Sequence, residues 1–301
     1  MIMKELVSII MPACNEEKYI AMSIMSAIQQ THERIELIIV DDGSKDNTRN
    51  IILGYANKYP DKIKFMFKEK NGGTAAALND AIELAVGEYI CWLSADDLYT
   101  EGMVESEIKW LKENGEYDAV FSRCVYIDES NNLLRELKYS EDFVAQMDSA
   151  SGVASSLLFG NFWHGCSVLA KAECFKREER FNVDYKGAHD YDFWLRMAAD
   201  YNIGYLDRVN VFSRIHSEQE SKKINCNRDE IRVFFNLLQK EETIMKLFNK
   251  MGKEYTFENI KPYIYHRIGK YQGLEEETGA VKEELQKYYD SMKNGLIHYS
   301  N

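Results

Sequence analysis

Several short polar clusters interrupt an otherwise apolar chain, and each has residue types and spacing that could do chemistry. Val40-Asp41-Asp42-Gly43-Ser44 closes an apolar run with two carboxylates and a turn glycine. Acidic side chains placed there can accept hydrogen bonds from a base or a ribose; the alternative is a turn in which Asp46 and Thr48 cap the next helix. Asn71-Gly72-Gly73-Thr74 is either a plain turn feeding a helix or a loop whose glycines let the backbone approach phosphate, with Asn79 one helical turn further on. Ser94-Ala95-Asp96-Asp97 follows the apolar run Tyr89–Leu93. Two adjacent carboxylates at the end of a buried strand are costly unless a cation or hydrogen-bond donors hold them. A capping role for Asp97 or Thr100, before a helix starting near Glu101, explains one carboxylate better than the pair.

Later in the chain, Gly187 to Arg196 reads GAHDYDFWLR. Asp190 and Asp192 there suit a helix N-terminus, where the dipole favours negative charge. Trp194 and Leu195 fit the face of that helix packed on a sheet. Ser213-Arg214-Ile215-His216 places Arg214 and His216 on one face of a strand by alternation. A neutral imidazole can complete a metal shell, and a guanidinium can offset phosphate charge, although a lone histidine is more often structural.

The elements that must carry these residues are legible in the hydrophobic pattern. Leu6 to Met11 is a short β-branched run that ends at Pro12, and Glu16 to Gln30 then places Ile20, Ile24 and Ile28 at helical spacing. The unit recurs, with strands at Ile35–Val40, Ile63–Phe67 and Tyr89–Leu93 and helices at Asp46–Lys58 and Thr74–Ala85. Alternation of this kind predicts an α/β fold with a mostly parallel sheet flanked by helices, because each crossover needs a helix to return the chain. Ligands in such sheets bind beyond the carboxyl ends of the strands, where the polar clusters fall. After about residue 115 the pattern loosens towards antiparallel pieces, with a hairpin around Ser130-Asn131-Asn132. From about Asn227 onward it turns helical and charged, the pattern of a helical C-terminal appendage forming a solvated cap.

Composition bounds the function. The 301 residues are 45% apolar and 29% charged, the balance of an ordinary globular protein. A formal net charge of -12, from 49 acidic and 37 basic residues, repels nucleic acid and anionic membrane. It would also repel a nucleoside diphosphate, so such a ligand calls for a divalent cation. Six cysteines without a CxxC pair, and no secretory signal before the first strand, point to reduced thiols and a cytoplasmic chain. No apolar run reaches the ~20 residues of a transmembrane span, so membrane association, at the inner face, would be peripheral.

The order VSIIMPACNE, VDDGSKDNT, NGGTAAALNDAI, GEYICWLSADD, HDYDFWLRM resembles the family-2 glycosyltransferases of the GT-A fold, over roughly residues 6 to 216. The resemblance implies a GT-A domain over 1–220, with a nucleotide-sugar half (1–115) and an acceptor half (116–220), and a helical region over 221–301. It implies that Pro12, Ala13, Asn15 and Glu16 line the nucleotide pocket, that Asp42 contacts the base, and that Gly73 and Asn79 flank the same pocket. In the family the strand-end motif carries an Asp-x-Asp whose last residue binds the metal, Mn²⁺ or Mg²⁺, bridging the diphosphate. Here that residue is Asp96; Ser94 stands where the first Asp is expected, weakening a ribose or water-mediated metal contact, and Leu78 replaces a common arginine.

Asp190 matches the family's general base, which in an inverting transfer removes the proton of the acceptor hydroxyl as its oxygen attacks the anomeric carbon. Arg214 and His216 match an R-x-H near the diphosphate, with His216 as a second metal ligand. Ser94 and Ala95 fall on the nucleotide-sugar side, and Asp97, His164 and His189 on the acceptor side. The expected partners are a nucleoside-diphosphate sugar, preferably a UDP-sugar, and a saccharide, lipid-linked or protein-linked acceptor in surface polysaccharide or glycoconjugate synthesis, with homo-oligomerisation through the helical tail. The competing readings are a nucleotide-sugar-binding protein without catalysis, which Ser94 favours, and a sugar-phosphate nucleotidyltransferase. The latter should carry a glycine-rich basic loop where this chain has PACNEEKY.

Overall fold

The computed structural model describes residues 5–136, 139–176, 180–219, 222, 224 and 226–270, together with 283, 287 and 290. The first half is the predicted alternation: β1 (Val7–Ala13), α1 (Ile20–Ile28), β2 (Ile35–Asp41), α2 (Thr48–Lys58), β3 (Ile63–Phe67), α3 (Thr74–Leu84) and β4 (Tyr89–Trp92). β1 and β2 are buried along their whole length because helices cover both faces, which is why they read as continuous apolar runs. Ile20, Ile24 and Ile28 form the buried stripe of α1.

The chain continues through β5 (Leu98–Tyr99), α4 (Met103–Glu113), β6 (Ala119–Ile127), β7 (Leu133–Glu136), α5 (Glu141–Met147), α6 (Ala150–Phe159), β8 (Val168–Lys171), α7 (Ala172–Phe175), α8 (His189–Asp200) and β9 (Ile203–Arg214). Among the described residues α9 (Cys226–Gln239), α10 (Glu241–Lys250) and α11 (Phe257–Lys270) follow.

Among the described residues the strands make one nine-stranded sheet in the order β3-β2-β1-β4-β8-β6-β9-β5, with β7 paired to β6. β3, β2, β1 and β4 are mutually parallel, β8 runs antiparallel between β4 and β6, and β6 and β9 are parallel. The β6–β7 hairpin turns at Asn131, which adopts φ 68, a left-handed conformation that asparagine tolerates well. Trp194 and Leu195 are buried in the core, as their helical spacing predicts.

The C-terminal helices depart from the expectation of a solvated cap. Phe234, Phe248, Ile264 and Arg267 are fully buried, and α9 and α10 pack against α8. The apolar residues of this region form a stripe on each helix, and that stripe needs a partner surface, which α6 and α8 supply. Among the described residues no helix is long and apolar enough to cross a membrane.

Candidate active site

The carboxyl ends of β1, β2 and β4 open on one cleft of about 570 Å³. Pro12 and Ala13 enter it from the end of β1, Asp42 from the end of β2, and Ser94, Ala95, Asp96 and Asp97 from the loop after β4. Asn15, Glu16, Gly73, His164, His189 and Asp190 line it as well, with His164 Nε2 3.6 Å from Asp97 Oδ2. The sequence-predicted residues thus converge, except that Asn79 and Arg214 do not line the cleft and His216 stands behind its lining, against Asp96.

The ends of β1 and β2 are shaped by two turns. Gly43 adopts φ +81, and a Cβ there would meet the Asn71 nitrogen at 2.9 Å, so glycine is required for the loops after β2 and β3 to touch. Asp42 occupies that junction. Its carboxylate accepts hydrogen bonds from the Gly72 nitrogen (2.9 Å) and the Gly73 nitrogen (2.7 Å) and is paired with the Lys68 ammonium at 2.8 Å. Burial pulls the Lys68 ammonium down, but its bonds to Asp42 and Asp80 outweigh that and hold its pKa above the usual lysine value. Neighbouring Asp41 points away from the cleft and grips Arg49 at 2.6 Å. Asn15 takes φ 58, with its backbone nitrogen donating to Ser44 Oγ at 2.9 Å and its side-chain oxygen accepting from the Lys45 nitrogen at 2.8 Å. That left-handed turn after β1 lets the next residue, Glu16, face Asp96.

Glu16, Asp96 and His216 each offer one ligand atom, and these lie within 4.8 Å of one another. Nε2 of His216 is 3.1 Å from Asp96 Oδ2. Two carboxylate oxygens and an imidazole nitrogen suit Mn²⁺ or Mg²⁺. The electrostatics agree: burial, with the charges of Asp96, Asp46, Asp97 and Glu218, pushes the Glu16 carboxyl up to about 8, the mark of acidic groups gathered without a counter-charge. The residues therefore fit a divalent cation.

The R-x-H segment is arranged differently from a strand face turned to phosphate. β9 ends at Arg214, so His216 lies beyond the strand and reaches Asp96 from the following turn. Arg214 is fully buried behind the carboxylates. Its backbone nitrogen donates to Asp97 Oδ1 (2.8 Å), its Nε to the Asp96 carbonyl (2.9 Å) and its Nη1 to Asn131 Oδ1 (2.7 Å), while the guanidinium stacks over Tyr19 at 4.9 Å. It braces the Asp96–Asp97 loop and does not line the cleft. Asn79 turns to the other side of α3, where both ends of its amide bond the backbone of Phe181, at 2.9 and 3.0 Å, and so tie α3 to the segment before α8. Leu78, in place of the family's arginine, is fully buried.

Asp97 and Ser94 are tied into the floor. Cys166 Sγ donates to Asp97 Oδ2 at 3.4 Å and lies 3.3 Å from Ser94 Oγ. Burial and the neighbouring Asp96 charge raise the Asp97 carboxyl well above the usual carboxylate range, against the opposing bonds from the Arg214 nitrogen, Cys166 and Ser213. His164 accepts from the Cys166 nitrogen on Nδ1, which leaves its other nitrogen, 3.1 Å from Ser213 Oγ, to carry the proton. Burial lowers its pKa against the opposing pull of Asp96 and Asp190, so it stays neutral.

Asp190 is in the first turn of α8. Its Oδ1 accepts from the Tyr191 nitrogen (2.7 Å) and its Oδ2 from Asn161 Nδ2 (2.8 Å), which fixes the carboxylate's orientation. Its half-buried carboxylate opens on the cleft. His189 packs its ring against Trp92 and Phe181, at 5.8 and 5.9 Å, and is a wall of the cavity. Asn161, Lys186, Cys226 and Glu230 also line the cleft and were not singled out from sequence. Asn161 sits three residues before His164, but nothing in its spacing pairs it with Asp190. Glu230 lies in a segment that reads as tail.

The comparisons with known proteins bear on this geometry. The model of glycosyl transferase family 2 matches residues 8–170. The chain belongs to that family. A glycosyltransferase of Rickettsia conorii is 36% identical over 255 residues, 84% of this chain, and the chain spans 41% of that relative's length. A glycosyltransferase of Rickettsia typhi is 34% identical over 246 residues, 80% of this chain and 74% of the relative. Among solved structures, TarS of S. aureus in complex with UDP-GlcNAc superposes with a TM-score of 0.64 at 18% identity, over 96% of this chain and 92% of that one. The mannosyltransferase PcManGT of Pyrobaculum calidifontis, with GDP-Man and Mn²⁺, gives 0.62 at 18% identity, over 98% and 82%. The fold is that of the GT-A glycosyltransferases.

Proposed function

We propose that this family-2 glycosyltransferase is an inverting, divalent-cation-dependent enzyme that moves a sugar from a nucleoside-diphosphate sugar, a UDP-sugar first among them, onto an acceptor hydroxyl in the synthesis of a surface polysaccharide or glycoconjugate. The observation that carries the reading is that Asp42, Asp96 and Asp190, which come from three distant parts of the sequence, line one cleft. The two solved neighbours support the donor class, since one holds UDP-GlcNAc and the other GDP-Man with Mn²⁺.

In this scheme the wall of Pro12, Ala13, Asn15 and Asp42 receives the nucleoside, with the loop at Gly73 closing one side. Glu16, Asp96 and His216 would hold Mn²⁺ or Mg²⁺, which when bound supplies positive charge to offset the leaving diphosphate. Arg214 keeps the Asp96–Asp97 loop in place from behind. Asp190, oriented by Asn161, accepts the proton of the acceptor hydroxyl while that oxygen forms the new bond to the anomeric carbon and the bond to the diphosphate breaks on the opposite face. The neutral imidazole of His164 adds no charge between the two carboxylates. Lipid-linked, protein-linked or free saccharide acceptors would enter from the side of His189 and Glu230.

Incubation with Mn²⁺ or Mg²⁺ and a panel of UDP-, GDP- and dTDP-sugars, with and without saccharide acceptors, tests the reading. Release of nucleoside diphosphate or a glycosylated product of inverted anomeric configuration supports it. Donor binding with neither product from any member of the panel refutes catalysis and leaves a nucleotide-sugar-binding protein.

A further inference from the structure

The segment that carries Asp190 is held from the side of the C-terminal helices as well as from the sheet. Gly187, three residues before it, donates its backbone N–H to Asp229 Oδ2 of α9 at 2.9 Å. The approach is close enough that a Cβ on Gly187 would lie 2.9 Å from the Cys226 Cα. Asp229 is itself bonded to Arg232 Nη1 at 3.1 Å. Tyr191, the residue after Asp190, is fully buried. Its hydroxyl donates to the Leu157 carbonyl at 2.7 Å and receives a bond from Arg267 Nη2 of α11.

Arg267 is fully buried, 3.2 Å from Glu230, with its guanidinium over the rings of Tyr191 (5.0 Å) and Phe234 (5.2 Å). Taking a guanidinium out of water is expensive, and a hydrophobic side chain of similar volume at such a place is often as stable or more so. What the charge adds is direction: a planar donor fork joins α9 to the ring beside the base. The match to the family model ends at residue 170, so these helices lie outside it.

We propose that Arg267 and Asp229 are positioning residues for Asp190. Through them the C-terminal helices fix the 187–191 segment on both sides of the base, and Glu230, held by Arg267, completes the cleft wall beside it. The proposal rests on the reading of Asp190 as the general base. A carboxylate displaced by a fraction of an ångström still leaves the nucleotide wall, some elements away, untouched.

The test uses the full chain with Arg267→Met, Arg267→Lys and Asp229→Ala. Three quantities are read: the Kd for UDP or GDP in Mn²⁺ by calorimetry, the turnover for nucleotide release from the donor sugar that the parent uses, and amide hydrogen exchange over residues 187–193. Arg267→Met and Asp229→Ala are expected to keep nucleotide affinity within about twofold while turnover falls on the order of 10- to 100-fold, as misplacement of a catalytic group by about 1 Å does. Exchange over 187–193 should rise while that of β1 and β2 stays unchanged, and Arg267→Lys should recover part of the turnover. Parental turnover and exchange in the folded variants would overturn the proposal, and so would a parallel loss of turnover and nucleotide affinity. If Arg267→Met does not fold, Asp229→Ala decides alone. Failure of the proposed function appears in the parent chain, as absence of release from any donor, whereas failure of this proposal appears only in the variants.

Discussion

Glu107 offers a stability test whose size follows from its surroundings. It lies on α4, fully buried, and does not line the cleft. Its Oε1 accepts from Ser122 Oγ at 2.6 Å and Asn210 Nδ2 at 3.0 Å, while Oε2 has no partner. Burial pushes the carboxyl up to about 8 despite those two bonds, from an ordinary value of 4.5. Below the ordinary value both the folded and unfolded chains hold the proton, and the full stability is present. Between there and the folded value only the folded chain holds it, so stability falls as pH rises, by about 1.4 kcal/mol per unit. Across the window the loss reaches ~5 kcal/mol.

Glu107→Gln removes the titration and keeps the acceptor to Ser122 and Asn210. Its amide nitrogen takes the place of an Oε2–H that already lacks a partner, so the two chains should be similarly stable near pH 5, and the variant should lead by several kcal/mol near pH 8. Denaturant unfolding of both chains at a series of pH values measures that gap, and other titrating groups cancel in the difference. A gap that does not change with pH would show that Glu107 is ionised in the folded chain and that the burial argument fails.

Other perturbations act on the site. Asp190→Asn should retain donor binding and lower turnover on the order of 10²–10⁴-fold, as steady-state kinetics will read; a near-parental rate would remove Asp190 from the role of base. Asp42→Ala deprives the Gly72–Gly73 backbone of its carboxylate acceptor and leaves Lys68 with Asp80 alone, and should cost about 1–3 kcal/mol in denaturant unfolding and weaken nucleotide affinity; unchanged values for both would mean that the loop holds itself. Gly165→Ala would bring a Cβ within 2.5 Å of the Trp92 ring, so a loss of about 1–3 kcal/mol and a lower Tm are expected; an unchanged Tm would mean that Trp92 moves freely.

Much of the first half was legible because β1 to β4 and their helices are local units with clear periodicity, and because the polar clusters sit at their ends. What spacing could not supply was direction. Asn79 is polar on a small apolar helix, yet only the fold shows that the Phe181 backbone claims it. Arg214 looks like a phosphate ligand by charge, but the Asp96–Asp97 loop doubles back over β9 and uses it as a brace. The partnership of Asn161 with Asp190 joins residues 29 apart through packing of α6 on α8, which no pattern announces. The tail reads as charged and solvated because its apolar stripes are diluted by lysine and glutamate; the buried Arg267, polar by type, gives no hydrophobic signal at all.

The central claim is that acidic residues at the open edge of the parallel sheet hold a cation against a nucleoside diphosphate. Calorimetric titration of UDP and GDP into the parent chain and Asp96→Ala, each in Mn²⁺ and in chelator, tests it directly. The account predicts binding by the parent only with Mn²⁺, and none by Asp96→Ala in either condition. Equal affinity in chelator and in Mn²⁺, or an Asp96→Ala chain that binds as the parent does, would contradict it.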